Sequence, residues 1–404
     1  MLFDFRVYII IGVFITVGIA LMLFNFIFIY YGQEQTTPFK RKIKRWRNVL
    51  YKQMNLVYSK KSVKNRHYKL LLEKLRNPSE LVAYSKALIY FKLEFLSAYI
   101  GYIHNEYDTF LKLAHIYSKK QNIEKACFAD FICNFPEATA GSSKQIVAVL
   151  TSYIEGSSLH CRANVLRAIC SMGDAPGVVN VLRAVSEKSL FIHNHLLTNI
   201  LSNFSGSKEG LGRRLWNEGQ DWDNNIKVSV IQFISKYSGD YRHEFMPILQ
   251  NPSTDVEVRT AIIHYYGKYQ YDPVRSTLLD LIPNPESINL ATKSTSALVL
   301  YPETDTVNAL KAALYDPNWN IRYNASSSLV QLSEQVDLQK ILQNETANAK
   351  EIVTYMLERE AKFKTRSAAR SYKGYRHNFA SELKAAGYRH DTDSDLKIGA
   401  VLKV

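Results

Sequence analysis

The sequence predicts an all-α protein, an α-solenoid of helix pairs behind one N-terminal transmembrane helix. Two observations predict it: a capped amphipathic pattern that recurs about every 32 residues, and a 25-residue apolar stretch without a charge near the N-terminus. The 404 residues are 47% hydrophobic and 22% charged, a globular composition that excludes disorder throughout. Read as repeats, that length forms one elongated body rather than two or three compact domains.

The apolar stretch, VYIIIGVFITVGIALMLFNFIFIYY at 7–31, has one strongly polar side chain, Asn25. As a helix it would be roughly 37 Å long, enough to cross a hydrocarbon core of about 30 Å with some tilt. Tyr30 and Tyr31 stand where an interfacial aromatic belt would lie. A cleaved signal peptide needs a positive head, a shorter apolar run and a small-residue cleavage site, and none is present. Residues 1–37 are therefore expected to form the N-terminus and the anchor.

Directly behind it, residues 40–76 carry 14 Lys and Arg against one acid, Glu73. Lys40, Arg41, Lys42, Lys44, Arg45 and Arg47 are the membrane-proximal part of this cluster. By the positive-inside rule that flank stays in the cytoplasm and the short N-terminus faces outward. A single-pass protein of the inner cell membrane is expected, with residues 38–76 as a basic helical neck. The chain's net charge of +14 leaves residues 77–359 close to neutral once the neck and the basic tail are set apart. A basic excess beside a membrane points to anionic lipid headgroups rather than to nucleic acid.

In the body, six copies of one pattern align on a basic column: Arg162, His193, Lys227, Arg259, Lys293 and Arg322. Four positions earlier stand Ser158, Ser189, Asp223, Asp255, Asn289 and Asn318, all good N-cap types. Apolar positions follow three, four and seven residues after most of the basic residues, which places them on one helix face. Shorter apolar segments at 178–185, 245–250, 274–282 and 307–314 supply the second helix of each pair. Gly173-Asp174, Gly239-Asp240, Asn251-Pro252, Asn284-Pro285 and Asp316-Pro317 break the chain between them. Upstream, segments at 80–93 and 123–135 are candidate cap repeats.

A two-helix unit at this period resembles the HEAT repeat, with Asp255-Val256-Glu257-Val258-Arg259-Thr260-Ala261 and the segment around Asp316-Pro317 and Arg322 as the best copies. The resemblance covers about residues 120–345, and the array is expected over 77–358 with a basic flexible tail at 359–404. It implies that the basic column is a structural ladder, reaching turn acids and helix-terminal carbonyls. It also implies that a functional surface would be the concave face of the second helices. Single-pass proteins of this build resemble bacterial accessory proteins that accompany membrane glycosyltransferases of exopolysaccharide systems. HEAT-like lyases and DNA glycosylases are the enzymatic alternative.

Chemistry is sparse. Cys127, Cys133, Cys161 and Cys170 show neither zinc-ribbon nor disulfide-scaffold spacing and are expected as buried free thiols. His193 and His195, two apart, would point away from each other on a regular helix and could not share an ion. The glycine cluster GLGRRLW at 210–216 reads as a polar turn between helices, and no phosphate loop or nucleophile elbow occurs. Tyrosines gather around Tyr84, Tyr90, Tyr99, Tyr102 and Tyr107 and around Tyr265 to Tyr271, as they would at an interface or a stacking surface. No enzyme, cofactor or metal is expected. The expected function is a scaffold for protein partners, foremost another membrane protein, with a module that reads anionic lipid as the alternative.

Overall fold

The computed structural model describes residues 2–61, 65–139, 143–283, 287–332 and 348–362, with the side chains of 2–14 and 23–37 left out. Among these residues every regular element is a helix. They fall into two compact units, residues 1–239 and 240–404.

The first unit begins with one long helix, α1 (Leu2–Tyr58). There follow α2 (Asn65–Lys74), α3 (Pro78–Glu94), α4 (Leu96–His104), α5 (Tyr107–Ser118), α6 (Asn122–Asn134), α7 (Ser143–Ser152), α8 (Leu159–Met172), α9 (Ala175–Glu187), α10 (Asn194–Ser202), α11 (Lys208–Glu218) and α12 (Asn224–Tyr237). These helices form two layers. In one, α3, α6, α8, α10 and α12 pack side by side in chain order, and in the other α5, α7, α9 and α11 do the same. Members of the first layer are enclosed by neighbours, so α8 buries Cys161 through Leu166 almost without interruption. Its ends are set locally: the Ser158 hydroxyl accepts from the Cys161 N–H at 3.3 Å, and Gly173 stops the helix at φ 71°, a conformation that a Cβ disfavours. Gly177 serves contact instead, since a Cβ there would stand 2.7 Å from Val147 and 2.9 Å from Ile169.

The second unit holds α13 (Arg242–Gln250), α14 (Val256–Tyr266), α15 (Val274–Asp280), α16 (Ile288–Ala297), α17 (Thr304–Ala313) and α18 (Trp319–Gln331), and residues 348–362 are also helical. Here α14, α16 and α18 lie side by side, while α13, α15 and α17 each pack on the helix that follows.

Several expectations change in detail. The neck is no free spacer, because Trp46, Leu50 and Met54 of α1 are buried where it packs on α3 and α4. GLGRRLW is not a turn but most of α11. The Ser207 hydroxyl caps its start at 3.1 Å from the Gly210 N–H, and Leu211 and Leu215, one turn apart, bury a face that outweighs the low helix propensity of glycine. Ser189 does not cap α10: it turns the chain at φ 46°, and His193 is the cap residue. Asn289 lies inside α16, whose first flanking residue is the extended Ser287.

Among the described residues no helix is long and apolar enough to cross a membrane. Most side chains of the expected span at 7–31 lie outside the described residues, as does nearly all of the expected tail from 363 onward.

Candidate interaction surface

The basic column divides by burial. Arg162 is buried and donates to the Ser157 carbonyl and, at 2.9 Å, to the Phe191 carbonyl, tying the start of its helix to the loop before the next. Arg259 is buried too, its Nε donating to the Leu249 carbonyl at 3.0 Å. Arg322 donates to the Asp316 and Pro317 carbonyls at 2.7 and 2.8 Å and lies over the Trp319 ring. All three arginines satisfy backbone carbonyls: Arg259 one in the last turn of α13, which helix geometry leaves unpaired, and Arg162 and Arg322 those of the loops beside their helices. Lys227 is half-buried and Lys293 exposed.

His193 departs most from its expected place. As an extended cap residue it precedes the helical rotation, so its ring stacks beside that of His195 at 5.5 Å instead of pointing away. Among the described residues, no group of three or more His, Cys, Asp or Glu is placed to hold a metal ion.

The six membrane-proximal basic residues also divide. Lys42 and Arg45 turn to Glu80 of α3, at 3.5 and 2.8 Å, where the Trp46 indole N–H donates as well at 2.9 Å. Burial alone would raise the Glu80 carboxyl, but the hydrogen bonds from Trp46 and Arg45 and the charges of Arg45 and Lys42 hold it below its ordinary range. Arg47 covers the Tyr90 ring with its guanidinium 4.5 Å from the centroid. Lys40, Arg41 and Lys44 face outward, and Arg41 and Lys44 line a shallow groove with Arg45, Asn48, Val49 and Lys52. About 100° of rotation per residue sets this stripe on the side of α1 opposite Trp46 and Leu50.

Where α1 meets the array, the fold encloses a polar cluster that no motif announced. The His67 Nε2 and the Tyr102 hydroxyl are hydrogen-bonded at 2.7 Å, and Tyr102 shares a second bond of 3.0 Å with Tyr84. Glu106, fully buried, lies 3.7 Å from His67, and neither carboxyl oxygen has a hydrogen-bond partner among the described residues. Burial pushes the Glu106 carboxyl up to about 8, with Thr109 opposing in part, and pushes the His67 imidazole down to about 4. Near neutral pH both are therefore uncharged, the less costly state in a dry interior. These residues come from α2, α3, α4 and the start of α5, up to 39 positions apart, so only the fold unites them.

The tyrosine clusters are mostly internal. Tyr84, Tyr99, Tyr102, Tyr265 and Tyr266 are buried, and outside the clusters Tyr117 donates to the Leu75 carbonyl at 2.8 Å, Tyr153 to Ala114 at 2.6 Å and Tyr301 to Tyr266 at 3.2 Å, each joining separate segments of the chain. The thiols are likewise quiet: burial raises Cys127, Cys133 and Cys161, and pushes Cys170 up to about 12. An open cleft between α18 and residues 348–362, bordered by Tyr355, Met356 and Arg359, has neither His nor Cys in its wall. Set beside known proteins, the chain matches no family model and no curated protein.

Proposed function

We propose that this protein is a membrane-anchored scaffold: an array of HEAT-like helix pairs held at the cytoplasmic face of the cell membrane, where it organises protein partners without chemistry of its own. One observation carries the reading. The backbone of α1 runs as a single helix from Leu2 to Tyr58, and Ile15, Val17, Ile19, Leu21 and Met22 on it are all exposed. Apolar side chains with no protein around them favour a lipid phase, and the same helix then buries Trp46, Leu50 and Met54 in the helical unit. Anchor and array would thus share one helix. The buried arginines and raised thiols support a structural rather than a reactive interior.

A partner that is itself a membrane protein, such as a glycosyltransferase of an exopolysaccharide system, is the client that this placement favours. The test is to tag the C-terminus, solubilise native membranes in mild detergent and identify what co-purifies at moderate salt. An integral-membrane synthase or transporter in fixed stoichiometry is expected. Recovery of the chain alone, still binding anionic vesicles, would replace the scaffold with the lipid-reading alternative, for which the outward stripe of Lys40, Arg41 and Lys44 is the structural support.

A further inference from the structure

The large exposed apolar residues of this chain are unevenly placed. Ile123, Leu159, Phe191, Val256 and Ile288 occur singly, as on most protein surfaces, whereas Ile89, Tyr90, Leu93, Phe95, Leu96 and Ile100 all fall on the corner where α3 meets α4. Leu93 is 77% exposed and Leu96 56%. The rings of Tyr90 and Phe95 are 6.2 Å apart, and the Arg47 guanidinium over Tyr90 joins the corner to α1. Tyr51, one turn beyond Arg47, is exposed on the same side of α1. On the helical rotation that side lies between the buried face and the basic stripe of Arg41, Lys44 and Lys52. An apolar strip therefore runs beside a cationic one.

Phe95 shows that the corner is not arranged for stability. It occupies both the C-cap of α3 and the N-cap of α4 and makes no side-chain cap bond. Ser, Asp or Asn are the residues that cap an orphan N–H at such a helix start. An aromatic ring that is 48% exposed forgoes that bond while leaving much of its own surface in water.

We propose that this corner and the adjoining basic stripe form the docking surface for an acidic, amphipathic segment of the partner protein, apolar side chains on Leu93, Phe95 and Leu96 and carboxylates on Arg41, Lys44 and Lys52. The proposal rests on the scaffold reading and names its contact face. Charge complementarity selects the occupant. A second copy would offer this stripe of three cations little to pair with, since the corner and the adjoining part of α1 expose a single carboxylate, Glu94. A bilayer is too far: Arg47 follows Tyr31 by 16 residues, about 24 Å along the helix, while the headgroup region is only about 5–8 Å deep.

The test places a photo-activated cross-linking residue at position 93 of the full chain in native membranes. Expected is one cross-linked partner whose labelled peptide is acid-rich and apolar. The yield should fall at least about tenfold with Leu96→Glu, and by a similar factor with Arg41→Glu, Lys44→Glu and Lys52→Glu combined, counted only over molecules that a C-terminal sidedness reporter finds on the parent's side of the membrane. Thermal melts of these surface variants should match the parent, which separates lost docking from lost folding. Labelling only of lipid, of a second copy or of the same chain overturns the proposal. So does a partner that co-purifies undiminished by Leu96→Glu, or one that co-purifies with no cross-link at 93; both leave the scaffold reading standing. Absence of any co-purifying protein overturns the scaffold reading itself.

Discussion

Glu106 is a carboxyl that folding protonates, and the sign of its effect on stability follows from that. Its folded value near 8 exceeds the ordinary 4.5, so its contribution is full below about 4.5 and is lost as pH rises through about 8. His67 acts in the opposite sense. Its folded value near 4 lies under the ordinary 6.5, so its contribution is present above 6.5 and is lost as pH falls through about 4. Between about 4.5 and 6.5 the two offset each other. From about 6.5 to 8 only Glu106 changes, and stability of the first unit should fall by about 2 kcal/mol. Thermal melts from pH 6 to 8.5 should show this decline, and Glu106→Gln, which keeps the shape without the proton, should flatten it; an unchanged slope would refute the assignment. The ladder gives a second test at this scale. Arg162→Met leaves the Ser157 and Phe191 carbonyls short of a donor and should cost about 1–3 kcal/mol, whereas exposed Lys293→Ala should stay within about 0.5 kcal/mol by chemical denaturation.

At the scale of the helix, caps decide what the sequence could reveal. Asp255 stands before α14 and accepts from the Glu257 and Val258 N–H groups at 2.8 and 3.4 Å, so Asp255→Ala should lower stability by about 1 kcal/mol. Ser189→Ala should change the melt of the same protein very little, because Ser189 closes the end of α9 through backbone bonds alone, its own N–H to the Ser186 carbonyl and that of Leu190 to Val185, both at 2.9 Å. Ser158, Asp255 and Asn318 were legible because a short polar side chain and the apolar spacing behind it report the same boundary. At α10 the two signals separate: Leu190 to Ile192 lengthen the connection, and His193, aligned with the basic column, takes the cap. In α11 local glycine preference pointed to a turn, and the burial of Leu211 and Leu215 overrode it. The cluster around Glu106 left no trace in the sequence, since its members stand on separate helices without spacing or motif. The apolar residues at 89–93 were readable as part of a candidate repeat segment and those at 95–100 were not, and which of them stay uncovered depends on how α1 lies across α3 and α4.

For the whole molecule, placement depends on where the charge sits more than on its sum. A net +14 spread evenly would describe a polyanion binder, yet 14 Lys and Arg stand at 40–76 with Glu73 as the sole acid. The fold separates two uses of that charge. Lys42 and Arg45 pair with Glu80, so replacing them would disturb packing and topology together. Lys40, Arg41, Lys44 and Lys52 are exposed and can be changed with the helix left intact. Converting these four to Glu removes Lys40, Arg41 and Lys44 from within about 15–20 residues of the apolar stretch, the range over which Lys and Arg orient a span, and Lys52 from just beyond it. A share of molecules should then insert with the C-terminal array outside, while Lys42→Gln and Arg45→Gln destabilise the first unit without comparable inversion. A C-terminal reporter active on only one side of the membrane measures this directly. Inversion by the four exposed substitutions would mean that the stripe orients the anchor as well as facing a partner. Unchanged orientation, with the chain still in the membrane, would leave partner recognition as the stripe's role and pass control of topology to Lys42, Arg45 and Arg47, the other basic residues close to the apolar stretch.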